Sequence, residues 1–368
     1  GTASFGSTNL TSSGYHDIFV AKLDADGNWL WAQRAGGSES DEGKAITHDA
    51  AGNTYLSGYF SGTASFGGTS LTSSGYHDIF VAKLDANGTW LWARQAGGTE
   101  YDSGNAITSD AAGNTYLSGI FYDTASFGSS SLTSSGYVDI FVAKLDTDGN
   151  WLWAKQAGGT SDDYGQAIAS DAAGNTYLSG YFYGTVSFGS TNLSSSGGSN
   201  DIFVAKLDTN GNWLWAKRAG GTDSDQGWSI TCDAAGNTYV SGLFQATVSF
   251  GSTNLTSSGN SDIFVAKIGY TTSIDDDLAP ETYSSCLHGA WPNPLRPGET
   301  ALVKTTVALG ETGYLTFFNL RGQTIARHIL YTGTQETIFN NSGLSSGIYF
   351  YQLQAGNYKE VKKLILAK

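Results

Sequence analysis

Asp17-Ile18-Phe19-Val20-Ala21-Lys22-Leu23 is followed by Asp24-Ala25-Asp26-Gly27-Asn28 and then by Trp29-Leu30-Trp31-Ala32. The first run is short, apolar and rich in β-formers. Asp26-Gly27 is a two-residue hairpin signal, and the second run is the return strand. At period two, Trp29 and Trp31 fall on one face. Gly36-Gly37 ends the strand, Ala45-Ile46-Thr47 begins a third, Ala51-Gly52-Asn53 turns, and Thr54 to Tyr59 makes a fourth. The expectation is a four-stranded antiparallel meander. Thr63 to Gly75, with Phe66 and Leu71 among Ser, Thr and Gly, predicts an extra hairpin or a long loop.

The same text recurs every 61 or 62 residues. Asp-Ile-Phe-Val-Ala-Lys starts at Asp17, Asp78, Asp139, Asp201 and Asp262, and Trp-Leu-Trp-Ala at Trp29, Trp90, Trp151 and Trp213. Asp-Ala-Ala-Gly-Asn-Thr-Tyr starts at Asp49, Asp110, Asp171 and Asp233, and Thr-(Ala/Val)-Ser-Phe-Gly at Thr2, Thr63, Thr124, Thr185 and Thr247. One meander cannot bury both faces, so it must stack on its neighbours. Four-stranded antiparallel sheets repeated around an axis predict an all-β chain whose first 268 residues form a β-propeller of about five blades. The Ile-Phe-Val half occurs five times and the tryptophan half four, so one blade is incomplete. Its open edge is Asp262, Ile263, Phe264 and Val265. Either an upstream half closes the ring or another molecule supplies it, and unpaired edges favour association.

Composition sets limits on function. The 368 residues carry 19 Lys plus Arg against 33 Asp plus Glu, a net charge of -14, which repels phosphate backbones and argues against nucleic acid. No run of about 20 apolar residues marks a transmembrane helix. Gly at 49 of 368 without a triplet period excludes collagen. Methionine is absent and Gly1 lies inside a repeat motif, which points to a trimmed start. The repeat stops after Ile268. A polar linker is expected over 269–284, and a small immunoglobulin-like β-sandwich over 285–368, entered through Pro292, Pro294 and Pro297. Its strand-like runs are Ala301 to Val307, Tyr314 to Asn319, Thr324 to Tyr331, Gly347 to Gln354 and Glu360 to Leu366.

Two resemblances arise from these strings. Asp-Ile-Phe-Val-Ala-Lys-Leu-Asp with Ala-Gly-Gly and Asp-Ala-Ala-Gly-Asn-Thr-Tyr-Leu-Ser-Gly resembles the bacterial β-propeller repeat of large secreted and surface proteins. Trp291-Pro292-Asn293-Pro294, Phe318-Asn319-Leu320-Arg321-Gly322-Gln323, Gly343 to Tyr351 and the closing Lys362 to Lys368 resemble the C-terminal sorting domain of type IX secretion. The second resemblance implies export to the cell surface or medium. In an exported chain Cys232 and Cys286 could pair as a disulfide.

No reaction is implied. Gly343-Leu344-Ser345-Ser346-Gly347 has the spacing of a nucleophile elbow, but a strand follows where a helix is needed, and the sorting-domain match accounts for it. There is no His-Glu-x-x-His, P-loop or Cys-x-x-Cys. His16 and His77 share a repeat position with Val138, Asn200 and Ser261, which argues against a shared base. Asp24-x-Asp26-x-Asn28 resembles the start of a calcium loop, but Trp29 stands where Gly is needed, so a hairpin turn is preferred. Asp41, Asp102, Asp163 and Asp225 cap turns, solvate a rim or bind Ca2+; Ca2+ is the one cofactor considered and none is assigned. Asp17 and its copies open a strand and should accept backbone hydrogen bonds. Tyr15, Tyr76 and Tyr137 are candidate sugar-stacking residues, as are Tyr59, Tyr122 and Tyr181, with core packing preferred. The expected protein is a non-enzymatic structural or adhesive surface protein. Its partners are further copies of itself, a fibre, or a surface glycan or protein.

Overall fold

The computed structural model describes residues 1–171, 173–233, 237–269, 285–296, 299–307, 311–330 and 333–367. The described residues are mostly strand and include no helix, so the protein is all-β. It divides into two compact units, Gly1–Tyr270 and Thr271–Lys368. Residues 270–284, most of the expected linker, and Pro297 lie outside the described residues.

The strands of the first unit are those expected, but the sheets are phased differently. Glu42–His48, Thr54–Phe60, Asp78–Leu84 and Trp90–Ala96 pair antiparallel in that order. The same four roles recur in Ser103–Ser109, Thr115–Phe127, Ser130–Leu145 and Trp151–Gly159, and in Asp163–Ser170, Thr176–Phe182, Asp201–Leu207 and Trp213–Ala219. We call these roles the lead, tyrosine, Ile-Phe-Val and tryptophan strands. The expected meander joined Trp29–Gly37 to the Ala45 strand; that pairing does not form. Gly36 and Gly37 pair instead with Ser65 and Ala64 of the next hairpin, and the link through Asp41 hands the chain to a new sheet. Thr63 to Gly75 contains a hairpin, Thr63–Phe66 against Thr69–Thr72. The first sheet holds Ile18–Leu23 and Trp29–Gly37, and the last holds Gln226–Cys232, Thr238–Phe244 and Asp262–Ile268.

The two indoles of a repeat do not share a face. Leu23 opposes Trp29 while Lys22 opposes Trp31, a register shift that repeats at Trp90/Trp92. The bulge inserts one residue and flips the second indole. Trp90 therefore packs in the cluster with Ile18 and Val20, and Trp92 in the next cluster, with Phe141 and Leu145. Each tryptophan strand clamps both neighbouring sheets.

The sheets stack by one rule. Ile18 and Val20 pack with Phe80, Ala82 and Leu84 of the second sheet. Ile79 and Val81 pack with Phe141, Ala143 and Leu145, Ile140 and Val142 with Phe203, Ala205 and Leu207, and Ile202 and Val204 with Phe264. Polar contacts follow the same direction. Trp31 Nε1 donates to Ala86 O at 3.2 Å and Trp92 Nε1 to Thr147 O at 3.2 Å. Lys83 Nζ reaches Thr147 O while lying 5.0 Å from the Tyr55 ring centroid. Ser109 Oγ, Ser170 Oγ and Cys232 Sγ each donate back to the preceding repeat, at His48 O, Ser109 O and Ser170 O.

In the second unit, Cys286–Trp291, Thr300–Val307 and Gly333–Asn340 form one sheet. Gly313–Asn319, Thr324–Leu330, Gly347–Ala355 and Tyr358–Leu366 form the other. Leu287, Val303 and Val307 of the first share a core with Leu315, Phe317, Tyr351, Leu353 and Leu364 of the second, so two sheets close on one interior. The strands at Cys286–Trp291 and Gly333–Asn340 were not expected from the sequence.

Gly88 tests the stacking. Its φ is +83°, and an added Cβ would lie 2.7 Å from Trp31 Cδ2 of the preceding repeat. Gly27 has the same φ and open space around it. Gly88→Ala is expected to lower unfolding free energy by about 2–4 kcal/mol, strain plus overpacking, and Gly27→Ala by about 1–2 kcal/mol, strain alone. Urea titration of both variants measures the difference; equal losses would mean the indole seat contributes nothing.

Candidate functional site

The expected calcium-like segment is a turn. Asp24 Oδ1 accepts from the Asp26 and Asn28 amides, and Asp24 Oδ2 from Asn28 Nδ2. The Asn28 side-chain hydrogen bond is foremost in holding the Asp24 carboxyl below the ordinary aspartate range. Asp49, Asp110 and Asp171 repeat the arrangement, and each also accepts from a tyrosine hydroxyl, as Tyr55 to Asp49 at 3.0 Å.

A second set of carboxylates meets in pairs. Asp78 opens the Ile-Phe-Val strand of one sheet and Asp102 precedes the lead strand of the next. Both are fully buried. They converge over Gly97, where an added Cβ would lie 2.8 Å from Asp78 Cγ and 2.9 Å from Asp102 Oδ2. Asp102 accepts from the Gly98 amide at 2.7 Å and the Tyr122 amide at 3.1 Å. Asp78 Oδ2 accepts from the Ser74 amide, while Asp78 Oδ1 is buried without a hydrogen-bond partner. Asp41 and Asp225 hold two backbone amides each in the same way, and Asp163 holds the Gly159 amide. The Asp41, Asp102, Asp163 and Asp225 set is thus buried and caps chain turns; it does not solvate a rim.

This donor set does not fit Ca2+. Amide hydrogens already point at these carboxylates, and among the described residues no group of three or more His, Cys, Asp or Glu could hold a metal. Charge is handled differently along the stack. Arg34 lies 2.7 Å from Asp17 and Arg218 3.2 Å from Asp201, whereas Gln95 and Gln156 occupy the equivalent positions beside the two middle pairs. Burial, then the Asp78 charge, pushes the Asp102 carboxyl up to about 7. Burial and Asp139 push Asp163 to about 8, and burial pushes Asp139 to about 6. Burial also pushes Asp201 up to about 6 although Arg218 lies beside it, so desolvation is the main cause of the rise in these carboxyls.

The tyrosines expected in a core lie at the surface. Tyr15, Tyr76 and Tyr137 are all exposed. Tyr76 stacks on Tyr101 with centroids 4.9 Å apart and planes 4° apart, and Tyr59 stacks on His77 at 4.3 Å. Tyr101 breaks the repeat, standing where Ser40, Asp162 and Ser224 stand elsewhere. That departure is the signal by which it could have been found. Tyr59, Tyr122 and Tyr181 are half-buried. Cys232 and Cys286, the pair expected as a disulfide, lie in different units, and each is half-buried. Cys232 occupies the place of a serine hydroxyl in the inter-repeat ladder. Of the expected open edge, Ile263 and Val265 are exposed, but Phe264 is buried against the preceding sheet.

Residues 290–367 match the secretion system C-terminal sorting domain family. That domain marks proteins exported by type IX secretion to the cell surface or the extracellular space, so this is an exported protein. Among the described residues no helix is long and apolar enough to cross a membrane. The chain is 25 % identical over 251 residues to an uncharacterized WD repeat-containing protein of Acanthamoeba polyphaga mimivirus, covering 57 % of this chain and 18 % of that protein. It is 27 % identical over 212 residues to the regulatory protein FlaEY of Caulobacter vibrioides, covering 55 % and 22 %. The chain therefore spans about a fifth of the length of these relatives.

The carboxylate pairs predict a pH dependence. Each of these acids has a folded pKa above its unfolded value, so its stabilising contribution is complete below about pH 4. It is lost as pH rises through about 6 to 8, where Asp139, Asp102 and Asp163 titrate in the folded chain. Asp78→Asn and Asp139→Asn place an amide donor where the unpaired oxygen stood. Each is expected to raise stability at pH 8.5 by about 1–2 kcal/mol and to flatten the slope between pH 5 and 8.5. Denaturant unfolding at the two pH values checks this; an unchanged slope refutes the proton-holding pairs.

Proposed function

We propose that this exported chain is a structural, self-associating protein of the cell surface, without enzymatic activity. Its repeats are read as a β-propeller array of about five blades, and its tail as an immunoglobulin-like sorting domain. One observation carries the reading. The sorting tail is joined to sheets whose Ile-Phe-Val strands are buried on both faces in the middle of the array and half-open at its two ends. Side chains committed to packing copies of one unit serve a scaffold, and such scaffolds build extended surface structures. The mimivirus relative is a WD repeat-containing protein, which agrees with a propeller, since WD repeats build propeller blades.

A second reading, a glycan-binding module, is favoured by the exposed Tyr76–Tyr101 stack. Aromatic faces of this kind accept the apolar face of a sugar ring.

Removing residues 290–367 is expected to abolish surface delivery in a type IX-secreting host, read by protease accessibility on intact cells. Surface-exposed truncated protein would overturn the sorting role. The purified chain is expected to gain mass with concentration in sedimentation. One-chain mass throughout, together with glycan-array binding lost in Tyr101→Ala, would replace the scaffold reading with the second.

A further inference from the structure

In an array of near-identical repeats, a binding site stands out where the pattern breaks. Three breaks gather where the second sheet meets the hairpin that follows it. Gln95 lies near the end of the tryptophan strand Trp90–Ala96, where the first and fourth repeats carry Arg34 and Arg218. Tyr101 stands where the other three carry Ser40, Asp162 and Ser224. Asp123 stands where they carry Gly62, Gly184 and Ala246. It holds φ at +48°, a left-handed conformation that costs glycine nothing and aspartate something. Here an open cleft of about 570 Å3 is lined by Ser74, Gln95, Thr99, Asp123, Thr124 and Ser126 among glycines.

The arginines of the other repeats show why the cleft is here. Arg34 donates to Ser13 and pairs with Asp17, and Arg218 donates to Ser196 and pairs with Asp201. Ser13 and Ser196 are the counterparts of Ser74. In those repeats a guanidinium spans the gap to the serine, and the shorter, uncharged Gln95 leaves it open. The third repeat also carries a glutamine, Gln156, but has Asp162 and Gly184 at the other two positions. The aromatic stack flanks the cleft. Ser74 and Thr99 lie two residues from Tyr76 and Tyr101, which stack with their planes 4° apart. Tyr122, next to Asp123, meets the Tyr101 ring edge-on at 6.3 Å. Backbone hydrogen bonds hold the stack in place: the Asp102 amide donates to His77 O at 2.9 Å and the His77 amide to Glu100 O at 3.4 Å.

We propose that this cleft binds a neutral oligosaccharide, with one sugar ring on the Tyr76–Tyr101 stack and its neighbours among the polar groups of the cleft. This rests on the glycan-binding reading above and adds the place and the class of sugar. The lining decides the class. Among the described residues no lysine or arginine lines the cleft, so a phosphate, sulfate or uronate finds no cation there, and the Asp123 carboxylate repels it. Serine and threonine hydroxyls, the Gln95 amide and Asp123 together offer donors and acceptors to uncharged sugar hydroxyls. The volume falls in the usual range for small-ligand sites, about 300–1,000 Å3.

The test is affinity electrophoresis of the full chain in native gels containing a soluble β-glucan, a galactomannan, a xylan or polygalacturonate, with binding read as retardation. At least one neutral polymer is expected to retard the parent, and polygalacturonate is not. Three variants, Gln95→Arg, Tyr101→Ser and Asp123→Gly, each restore a residue that another repeat carries at that position. Their circular dichroism and melting transitions should therefore match the parent. Each is expected to weaken binding at least about tenfold, Gln95→Arg by filling the cleft while leaving the stack untouched. Retardation lost in Tyr101→Ser but kept in Gln95→Arg and Asp123→Gly would overturn the cleft while glycan binding at the stack stands. Retardation by polygalacturonate, alone or equally, would overturn the neutral class while glycan binding stands. No retardation by any of the four polymers would overturn the glycan-binding reading and the proposal with it.

Discussion

The contact between Ile and Val of one sheet and Phe, Ala and Leu of the next is the constraint on which the first unit depends. A strand of the form Ile-Phe-Val-Ala has two apolar faces, and a single four-stranded sheet can cover neither. Stacking in one direction resolves this, because the odd and even positions of the strand are complementary to each other rather than to themselves. Everything else in the repeat serves that contact. The bulge at the tryptophans sends one indole to each side, and the lysine and indole donors reach forward to turn carbonyls of the next repeat. An interface used four times is met by the same residue types each time.

Strand identity was legible because periodicity, Asp-Gly and Asn-Gly turns and the repeat itself agree. Sheet phase was not. The text between Gly36 and Asp41 reads as one more hairpin link, and only the three-dimensional path reveals that Gly36 and Gly37 bond to the following hairpin. Alternation placed Trp29 and Trp31 together because a bulge leaves no mark in a two-residue count. In the second unit, Gly333–Asn340 was missed because Gly333-Thr334-Gln335-Glu336-Thr337 is polar and lacks the apolar alternation of its neighbours. The carboxylate pairs were half visible. Both aspartate sets stand out in the repeat, but their members lie 24 residues apart, and nothing in sequence says they meet over a glycine. The exchange of Arg34 and Arg218 for Gln95 and Gln156 was readable in sequence and gains meaning only once the pairs are seen.

Direction has a further consequence. A stack in which every sheet offers Ile and Val forward and Phe and Leu backward has no equivalent ends, however many sheets it contains. Adding a sheet moves an end but leaves its character unchanged. The open faces are thus not a defect of one incomplete blade, which a single extra strand would mend: the tryptophan strand absent from the last sheet would pair along the edge of Asp262–Ile268 and leave the outward face of Ile263 and Val265 where it is. Covering that face takes a whole following sheet. Such a sheet comes from ring closure or from a neighbour, and the rotation between successive sheets decides which.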